Sequence, residues 1–395
     1  MKNILEQNFE SKKVIVRVDF NVPLDKQFKI TDDSRIKAAL PTINKLLNDK
    51  AKVILMSHLG RPKRKEDKFS LRHVVICLQE LLGVKVSFSS DCIGSSVKKK
   101  ISKLNNGEVL VLENLRFYKE EALADKEFAK QLSELADVYV NDAFGAAHRN
   151  HASTTTIASF FPSEKYFGLL LKNELDSLEK ALTKPQKPFS AVIGGAKISG
   201  KIDVITSLLE KVDVLIIGGG MAYTFAKAIG GETGNSLVEE DKIDLAKSIV
   251  NKSAELGVKL LLPVDSINAK DFNNDADIKS SDILNIQDSY MGLDIGEESI
   301  SLFTKEIENS KTIIWNGPMG VFEMSNFENG TKKIGEAICK STANGAFSLI
   351  GGGDSVAAIK KFNLENRVSY ISTGGGAMLE YMEGKELPGV KAILK

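Results

Sequence analysis

Short apolar runs alternate with longer amphipathic segments along almost the whole chain, and this alternation restricts the possible folds more than any other feature. The short runs fit buried β-strands, and the segments between them carry apolar residues at helical spacing. Parallel sheets covered by helices on both faces need such continuous apolar strands, so the sequence predicts an α/β fold. The predicted strands lie at residues 14–18, 52–56, 84–88, 109–112, 138–140, 189–193, 212–217, 258–262, 311–314, 347–350 and 368–371. The predicted helices lie at residues 33–48, 71–82, 122–135, 168–182, 199–211, 241–256 and 326–340.

The length of 395 residues exceeds what one hydrophobic core usually supports and fits two domains. The predicted helix at 168–182 is followed by a segment that contains Pro185 and Pro188. A helix and a proline-containing stretch between two α/β units are typical of a connection between domains. We therefore predict a first lobe over residues 1–167, a hinge helix and linker over 168–188, and a second lobe over 189–377.

Composition excludes several classes of protein. The net charge of +1 gives no general basis for binding nucleic acid or a membrane surface. The three cysteines are far apart in the sequence, which argues against a disulfide framework or a structural zinc site and favours a reducing compartment. We find no signal peptide and no apolar run near the ~18 residues that span a bilayer. The sequence therefore predicts a cytoplasmic protein.

Polar side chains follow the predicted strands of the first half. Because ligands bind at the carboxyl ends of parallel strands, these turns are candidate sites. Any single arginine is best interpreted as a solvated loop charge, but several at one sheet edge favour a small ligand with several negative charges. We interpret His58 and His148 as ligand-binding groups rather than general bases, and His73 and His151 as structural. The candidate residues are Asp19, Asn21, Arg35, His58, Leu59, Gly60, Arg61, Arg116, His148 and Arg149.

The second half instead places glycines after its strands, in triplets at 218–220, 351–353 and 374–376. Backbone N–H groups at such turns, next to a helix N-terminus, bind phosphate. No triplet completes G-x-G-x-x-G, which weakens a dinucleotide-binding interpretation. Residues 195–201 match the start of a P-loop, but Ile202 stands where Ser or Thr is needed, so we treat the match as accidental.

Charged side chains accompany these glycines. Lys197 and Lys201 are one helical turn apart in sequence and are predicted to present two ammonium groups on one helix face. Asp354 is a candidate Mg²⁺ ligand, or alternatively a helix N-cap. Glu323 is a candidate for binding ribose hydroxyls, and Asn316 lies in the turn before it.

Long motifs in this order resemble the phosphoglycerate kinase family nearly from end to end. They are RVDFNVP (17–23), SHLGRP (57–62), ENLRF (113–117), NDAFGAAHR (141–149), GGAKIS (194–199), GGGMAYTF (218–225), LPVD (262–265), WNGPMGVFE (315–323), GGGDS (351–355) and STGGGA (372–377). The resemblance implies two Rossmann-like lobes, each a parallel sheet flanked by helices, joined by a hinge helix. It also implies that the C-terminal tail, about residues 378–395, completes the first lobe, and that the protein is a monomer.

The resemblance further implies a role for each candidate residue. The first lobe would bind 3-phosphoglycerate or 1,3-bisphosphoglycerate through the ten residues given above. ADP or ATP would bind in the second lobe through Gly195, Lys201, Gly292, Asn316, Glu323, Gly352, Gly353, Asp354 and Ser355. Mg²⁺ would be held by Asp354. The transferred phosphoryl group would meet Arg35, Lys197, Lys201, Gly353 and Gly376, and the lobes would close around it.

Two positions depart from the family's pattern: Gly200 stands where members often have Asp, and Asn150 replaces an Ala. The acceptor carboxylate, with a reference pKa near ~3.5, needs no base, which fits the absence of an evident catalytic base. Two other functions stay open on the residues alone. One is a dehydrogenase using NAD, although its fingerprint is missing, and the other is a binding protein without activity on the same fold.

Overall fold

The computed structural model describes residues 3–395, and the chain divides into two compact units. The first comprises Met1–Asp176 and Glu386–Lys395, and the second comprises Ser177–Lys385. The division falls inside the helix that was predicted as the hinge, rather than on either side of it. The chain returns to the first unit at Glu386, later than the predicted tail boundary at residue 378.

A six-stranded sheet forms the centre of the first unit. Its strand order is β3-β4-β2-β1-β5-β6, and every neighbouring pair is parallel. The strands are β1 (Lys13–Arg17), β2 (Lys52–Met56), β3 (Val86–Phe88), β4 (Val109–Val111), β5 (Val138–Asn141) and β6 (Lys165–Phe167). Because most strand residues are buried, they read as continuous apolar runs, as predicted. Strand β6 is the one that the sequence analysis missed.

Helices from the N-terminal part of the chain accompany this sheet. They are α1 (Ser34–Asn48), α2 (Arg72–Leu82), α3 (Ser95–Ser102), α4 (Lys119–Ala122), α5 (Lys126–Ser133) and α6 (Leu169–Leu182). Ile36 and Ile43 of α1 join Val16 of β1 and Leu55 of β2 in the core. The single helix predicted at 122–135 is wrong, because Ala124 adopts a φ of 54°. Asp125 then begins α5 by accepting a hydrogen bond from the N–H of Phe128 at 2.8 Å.

The second unit has its own six-stranded parallel sheet, in the order β10-β8-β7-β15-β16-β17. Counted within the unit, this is the order 3-2-1-4-5-6 of the doubly wound Rossmann fold. The sheet strands are β7 (Phe189–Ile193), β8 (Val214–Ile217), β10 (Lys259–Leu261), β15 (Thr312–Asn316), β16 (Phe347–Ile350) and β17 (Tyr370–Ile371). The predicted fold class is thus confirmed, with a variant strand order in the first unit.

Two smaller sheets in the second unit were not predicted. They are built from β9 (Glu232–Thr233), β11 (Asp265–Ala269), β12 (Ile278–Asp282), β13 (Asn285–Ile286) and β14 (Met291–Ile295). Strand β11 pairs antiparallel with β12 and β14, whereas β9 pairs with β13. Strand β12 is almost entirely exposed, so it carries no apolar pattern that sequence analysis could detect.

The helices of the second unit surround a core that contains the fully buried Trp315. They are α7 (Ile202–Leu209), α8 (Met221–Ala228), α9 (Ile243–Glu255), α10 (Glu297–Asn309), α11 (Asn329–Ala343), α12 (Gly353–Lys361) and α13 (Gly375–Met382). The last helix, α14 (Pro388–Leu394), packs on the first unit, where the N–H of Gly389 donates to the carbonyl of Ala147 at 2.8 Å. Nowhere in residues 3–395 is a helix both long and apolar enough to span a membrane.

Candidate functional site

In the first unit, the sheet brings the predicted turns to one edge. Strands β4, β2, β1 and β5 are consecutive neighbours and all run parallel. The turns that follow them therefore leave the sheet side by side at its carboxyl edge. We call the basic side chains there the arginine–histidine cluster. It consists of Arg17, Arg35, Arg61, Arg116, Arg149, His58, His148 and His151.

Asp19 connects this cluster to helix α1. Its Oδ2 accepts a hydrogen bond from Nη1 of Arg35 at 3.0 Å. Burial opposes ionisation of Asp19, but the positive charges of Arg35 and Arg17 hold its pKa below the ordinary value. Asp19 is therefore a carboxylate that orients the guanidinium of Arg35.

Two asparagines hold the turn after β2. The side-chain oxygen of Asn21 accepts from the N–H of Gly60 at 2.8 Å, and that of Asn114 accepts from the N–H of Leu59 at 3.2 Å. The amide group of Asn114 also donates to the carbonyl of Leu59 at 2.7 Å. The backbone N–H groups of Leu59 and Gly60 are thus already satisfied within the protein, and these two residues shape the turn.

Each histidine of the cluster receives a hydrogen bond from an arginine. Nη2 of Arg17 lies 3.2 Å from Nδ1 of His58. Nη2 of Arg116 lies 3.5 Å from Nδ1 of His151, and Nε of Arg149 lies 3.2 Å from Nε2 of His148.

Burial and the charges of nearby arginines lower the pKa of His58 to about 3, although Asp19 opposes the shift. The same two causes, burial first, lower the pKa of His151 to about 3. Both rings are therefore neutral at physiological pH.

Arginines of the cluster retain unused donors. Nε of Arg116 is buried and has no acceptor among residues 3–395. Arg61 is exposed and, within the same residues, forms no hydrogen bond or ion pair. Such donors match the oxygens of an anionic ligand.

Sequence analysis missed Arg17 and judged His151 to be structural. Arg17 is the last residue of β1 and is fully buried, although it ends an otherwise apolar strand. A charged residue inside a buried strand is a detectable signal, because lone charges are rarely buried. His151 contacts Arg116, which the sequence pattern did not indicate.

The second unit contains a cavity of about 470 Å³, a size typical of small-molecule sites. We call it the glycine cavity. Of the predicted residues, it is lined by Gly195, Gly292, Glu323 and Asp354. Gly219 and Gly220 of the first triplet, and the exposed Phe272, also line it. Phe272 was missed because it stands in a polar loop without regular spacing.

Glycine is required at Gly219. Its φ is +67°, and a Cβ there would lie 2.5 Å from the backbone nitrogen of Gly195. The two glycine turns thus approach more closely than any side chain permits. By contrast, a Cβ at Gly200 would meet nothing within 4 Å, so the fold does not demand glycine where family members often have Asp.

The prediction that Lys197 and Lys201 share a helix face is wrong. Residues 194–201 form a loop, with Gly195 at a φ of 103°, and α7 starts only at Ile202. Lys197 is exposed, whereas Nζ of Lys201 donates to the carbonyls of Gly194 at 2.7 Å and Asn316 at 2.8 Å. Burial lowers the pKa of Lys201 to about 8, against the opposing charge of Asp354.

Asn316 and Ser355 support the turns rather than line the glycine cavity. The side-chain amide of Asn316 donates to the carbonyl of Gly351 at 2.9 Å. The hydroxyl of Ser355 accepts from the N–H of Gly317. Asn316 thereby connects the end of β15 with the loop after β16, and Ser355 connects the loop after β15 with α12.

Two helix N-termini follow the other glycine triplets. Gly352 precedes α12, so Gly353 and Asp354 lie in its first turn and Asp354 is not the N-cap. Gly374 precedes α13, and Gly376 lies in its first turn. The first N–H groups of a helix have no partner within it, so these turns offer anion-binding donors.

Comparison with known proteins agrees with this arrangement. The family model described as "Phosphoglycerate kinase" matches residues 4–385. The phosphoglycerate kinase of Porphyromonas gingivalis is 54% identical, over 98% of each chain. The "Phosphoglycerate kinase, cytosolic" of Triticum aestivum is also 54% identical, over 98% of this chain and 96% of its own.

Solved structures give the same result. The phosphoglycerate kinase from Coxiella burnetii superimposes with a TM-score of 0.90 at 42% identity, over 99% of this chain and 98% of its own. The chain therefore belongs to the phosphoglycerate kinase family of phosphotransferases (EC 2.7.2.3), which interconvert 1,3-bisphosphoglycerate and ADP with 3-phosphoglycerate and ATP in glycolysis.

Proposed function

We propose that the two units divide the two substrates of this reaction between them. The first unit binds the phosphoglycerate at the carboxyl edge of its sheet. The observation that carries this assignment is the arginine–histidine cluster, in which Arg61 and Nε of Arg116 have no partner among residues 3–395. A ligand with a phosphate and a carboxylate supplies the acceptors that these donors lack. The binding residues are Asp19, Asn21, Arg35, His58, Leu59, Gly60, Arg61, Arg116, His148 and Arg149, of which Leu59 and Gly60 act by shaping the turn after β2.

The nucleotide binds in the glycine cavity of the second unit. Its size suits an adenosine, and the nearby N-terminus of α12 suits the phosphates. Glu323, exposed at the cavity lining, accepts from the ribose hydroxyls. The binding residues are Gly195, Lys201, Gly292, Asn316, Glu323, Gly352, Gly353, Asp354 and Ser355, of which Asn316 and Ser355 act by holding the phosphate turns.

Mg²⁺ accompanies the nucleotide and is held by Asp354. No group of three or more His, Cys, Asp or Glu within residues 3–395 forms a metal site. A single carboxylate fits Mg²⁺ bound to a nucleotide, because this ion takes one or two carboxylates, substrate phosphates and water. When bound, the ion neutralises charge on the phosphates.

The protein's own residues act by position and charge. The acceptor is a carboxylate, which is ionised at neutral pH and needs no base. The neutral state of His58 and His151 agrees with this chemistry. Arg35, Lys197, Lys201, Gly353 and Gly376 donate to the oxygens of the transferred phosphoryl group.

Two further properties belong to this proposal. The enzyme is a monomer, as the resemblance to the family implies, and light scattering after gel filtration should give the mass of a single chain. It works in the cytoplasm, an assignment supported by the wheat relative whose name includes "cytosolic".

Arg116→Ala tests the division of substrates. In a coupled assay of ATP formation and its reverse, the KM for 3-phosphoglycerate should rise at least about tenfold, the cost of one charge-assisted hydrogen bond. The KM for the nucleotide should stay within about twofold, because the nucleotide is assigned to the other unit. Arg64→Ala is the matched control, as its side chain is 83% exposed. Equal effects on both KM values would contradict the proposal.

A further inference from the structure

We propose that Arg17 is a positioning residue, which fixes His58 in the neutral form that carries its proton on Nε2. Ser153 and Glu121 in turn hold the guanidinium of Arg17 in its orientation. The inference rests on the proposed binding of phosphoglycerate by the first unit.

Arg17 is an unusual buried cation. It is fully buried at the end of the central strand β1, and no carboxylate among residues 3–395 forms an ion pair with it. Burying an unpaired guanidinium costs free energy unless its N–H groups donate hydrogen bonds. Its donors go to the carbonyl of Val18, the hydroxyl of Ser153 and the ring of His58.

The contact with His58 determines where the ring proton lies. A guanidinium has five N–H donors and no acceptor. Nδ1 of His58, at 3.2 Å from Nη2 of Arg17, must therefore accept the hydrogen bond. A neutral imidazole has one acceptor and one donor nitrogen, so the proton is on Nε2. The distance of 3.9 Å from Nδ1 to Oδ1 of Asp19 is too long for a competing hydrogen bond.

Ser153 and Glu121 determine the direction of Arg17. The hydroxyl of Ser153 donates to Oε1 of Glu121 at 2.6 Å, and its N–H donates to Oε2 at 2.9 Å. With its single proton used in this way, the hydroxyl can only accept from Nε of Arg17, at 2.9 Å. Glu121 and Ser153 are both fully buried, so this chain of hydrogen bonds is shielded from water.

The result is a histidine that donates without adding positive charge. Nε2 of His58 forms no hydrogen bond with any of residues 3–395, so its N–H remains for a ligand oxygen. His151 has the same relation to Arg116 through Nδ1. The cluster therefore combines charged and neutral donors, and the buried Arg17 determines one of the neutral donors without touching the ligand.

The tautomer can be measured in the free protein. The chain has only four histidines, so ¹⁵N-histidine labelling gives a simple spectrum, and His58→Asn assigns the signal. We expect an acceptor-type Nδ1 and a protonated Nε2 in His58, unchanged between about pH 8 and about pH 5. A proton on Nδ1, or conversion to imidazolium in this range, would overturn the inference. This measurement needs no substrate, so its outcome is independent of the proposed function.

Ser153→Ala then tests the positioning role. It should populate the second tautomer of His58 and raise the KM for 3-phosphoglycerate on the order of tenfold. The KM for ADP should not change. Ser159→Ala, which removes an exposed hydroxyl of the same unit, is the control. An unchanged tautomer in Ser153→Ala would overturn the role of Ser153. A changed tautomer with an unchanged KM would instead contradict the placement of phosphoglycerate beside His58.

Discussion

Single residues of the cluster have distinct chemical tasks, although they are all basic. Arg17 is buried and serves another side chain, Arg35 is half-exposed and held by Asp19, and Arg61 is exposed. A sequence pattern shows only that Arg17 ends a strand, Arg35 begins a helix and Arg61 follows a strand. The surrounding hydrogen bonds, which come from distant segments, assign the tasks.

Arg35→Ala should lower kcat by roughly 10²-fold to 10³-fold, the effect of removing one donor to the transferred group. Binding of ADP, measured by calorimetry, should stay within about twofold. Because Arg35 also pairs with Asp19, circular dichroism must show that the variant is folded. Arg64→Ala serves again as the control for loss of charge. An unchanged kcat in Arg35→Ala would contradict its assignment to the transferred group.

Lys201 predicts a pH dependence. Its pKa is lowered to about 8 by burial, so the ammonium is lost as the pH rises through that value. If Lys201 must be charged to hold phosphate oxygens, kcat/KM for the nucleotide should fall above about pH 8. Lys201→Arg should move this fall to higher pH, since guanidinium stays protonated. The pH–rate profiles of wild type and Lys201→Arg provide the measurement. A fall in kcat/KM at the same pH in both proteins would exclude Lys201 as its cause.

At the scale of elements, continuous apolar strands were predictable and polar ones were not. Strands β2, β7 and β16 coincide with their predicted bounds, because both faces of each are covered. The exposed β12 gave no such signal. The helix predicted at 199–211 starts only at Ile202, because apolar spacing alone does not locate the end of the preceding glycine loop.

Gly219→Ala tests the closeness of the glycine turns against a matched position. Gly219 and Gly257 have φ values of +67° and +68°, but a Cβ at Gly257 would meet nothing within 4 Å. Both alanine variants should lose about 1 kcal/mol or more of the free energy of unfolding, because alanine is strained in the left-handed backbone conformation. Gly219→Ala should lose more, and should weaken ADP binding at least about tenfold, because the turns must separate. Denaturant unfolding measures the loss of stability in each variant, and calorimetry measures ADP binding. Equal losses in the two variants would contradict the close approach of the glycine turns.

Asp142 predicts how stability at the start of α6 depends on pH. This fully buried carboxyl follows β5, and its Oδ1 accepts from the N–H of Leu171 at 3.2 Å. Burial raises its pKa from 3.8 to about 7. The unfolded chain releases this proton near pH 4 and the folded protein near pH 7. The contribution to stability is therefore complete below about pH 4 and is lost as the pH rises to 7.

Asp142→Asn should remove this dependence. Between about pH 4 and pH 8, wild type should lose up to about 4 kcal/mol more of its free energy of unfolding than the variant does. Asp294 is another buried carboxyl with a pKa near 7. Its effect on how the free energy of unfolding changes with pH is similar in both proteins, so it cancels from the comparison. Urea unfolding across this range provides the measurement. Parallel stability curves for the two proteins would show that Asp142 ionises normally.

For the whole molecule, the division of residue types along the chain is the basis on which we propose a division of substrates. Arginines and histidines lie at the sheet edge of the first unit, and glycine turns line the cavity of the second. The sequence predicted this division because parallel sheets place successive turns at one edge. It did not predict the strand order of the first unit or the extra sheets, which depend on pairing between distant segments.

Since each substrate is assigned to its own unit, and no residue is assigned as a covalent nucleophile, transfer should require both substrates at once. Initial rates are measured against one substrate at several fixed concentrations of the other. Double-reciprocal plots of these rates should give intersecting lines. Parallel lines would indicate a phosphorylated enzyme, which the proposed chemistry does not contain.

The most direct test of the central claim follows hydrogen exchange of backbone amides with each ligand alone. We predict that 3-phosphoglycerate slows exchange in the first unit, in the turns at 19–21, 57–62, 113–117 and 142–153. MgADP should slow exchange in the second unit, at 194–201, 218–223, 316–323 and 351–355. Protection of the same unit by both ligands, or of each unit by the opposite ligand, would contradict the division of substrates between the two units.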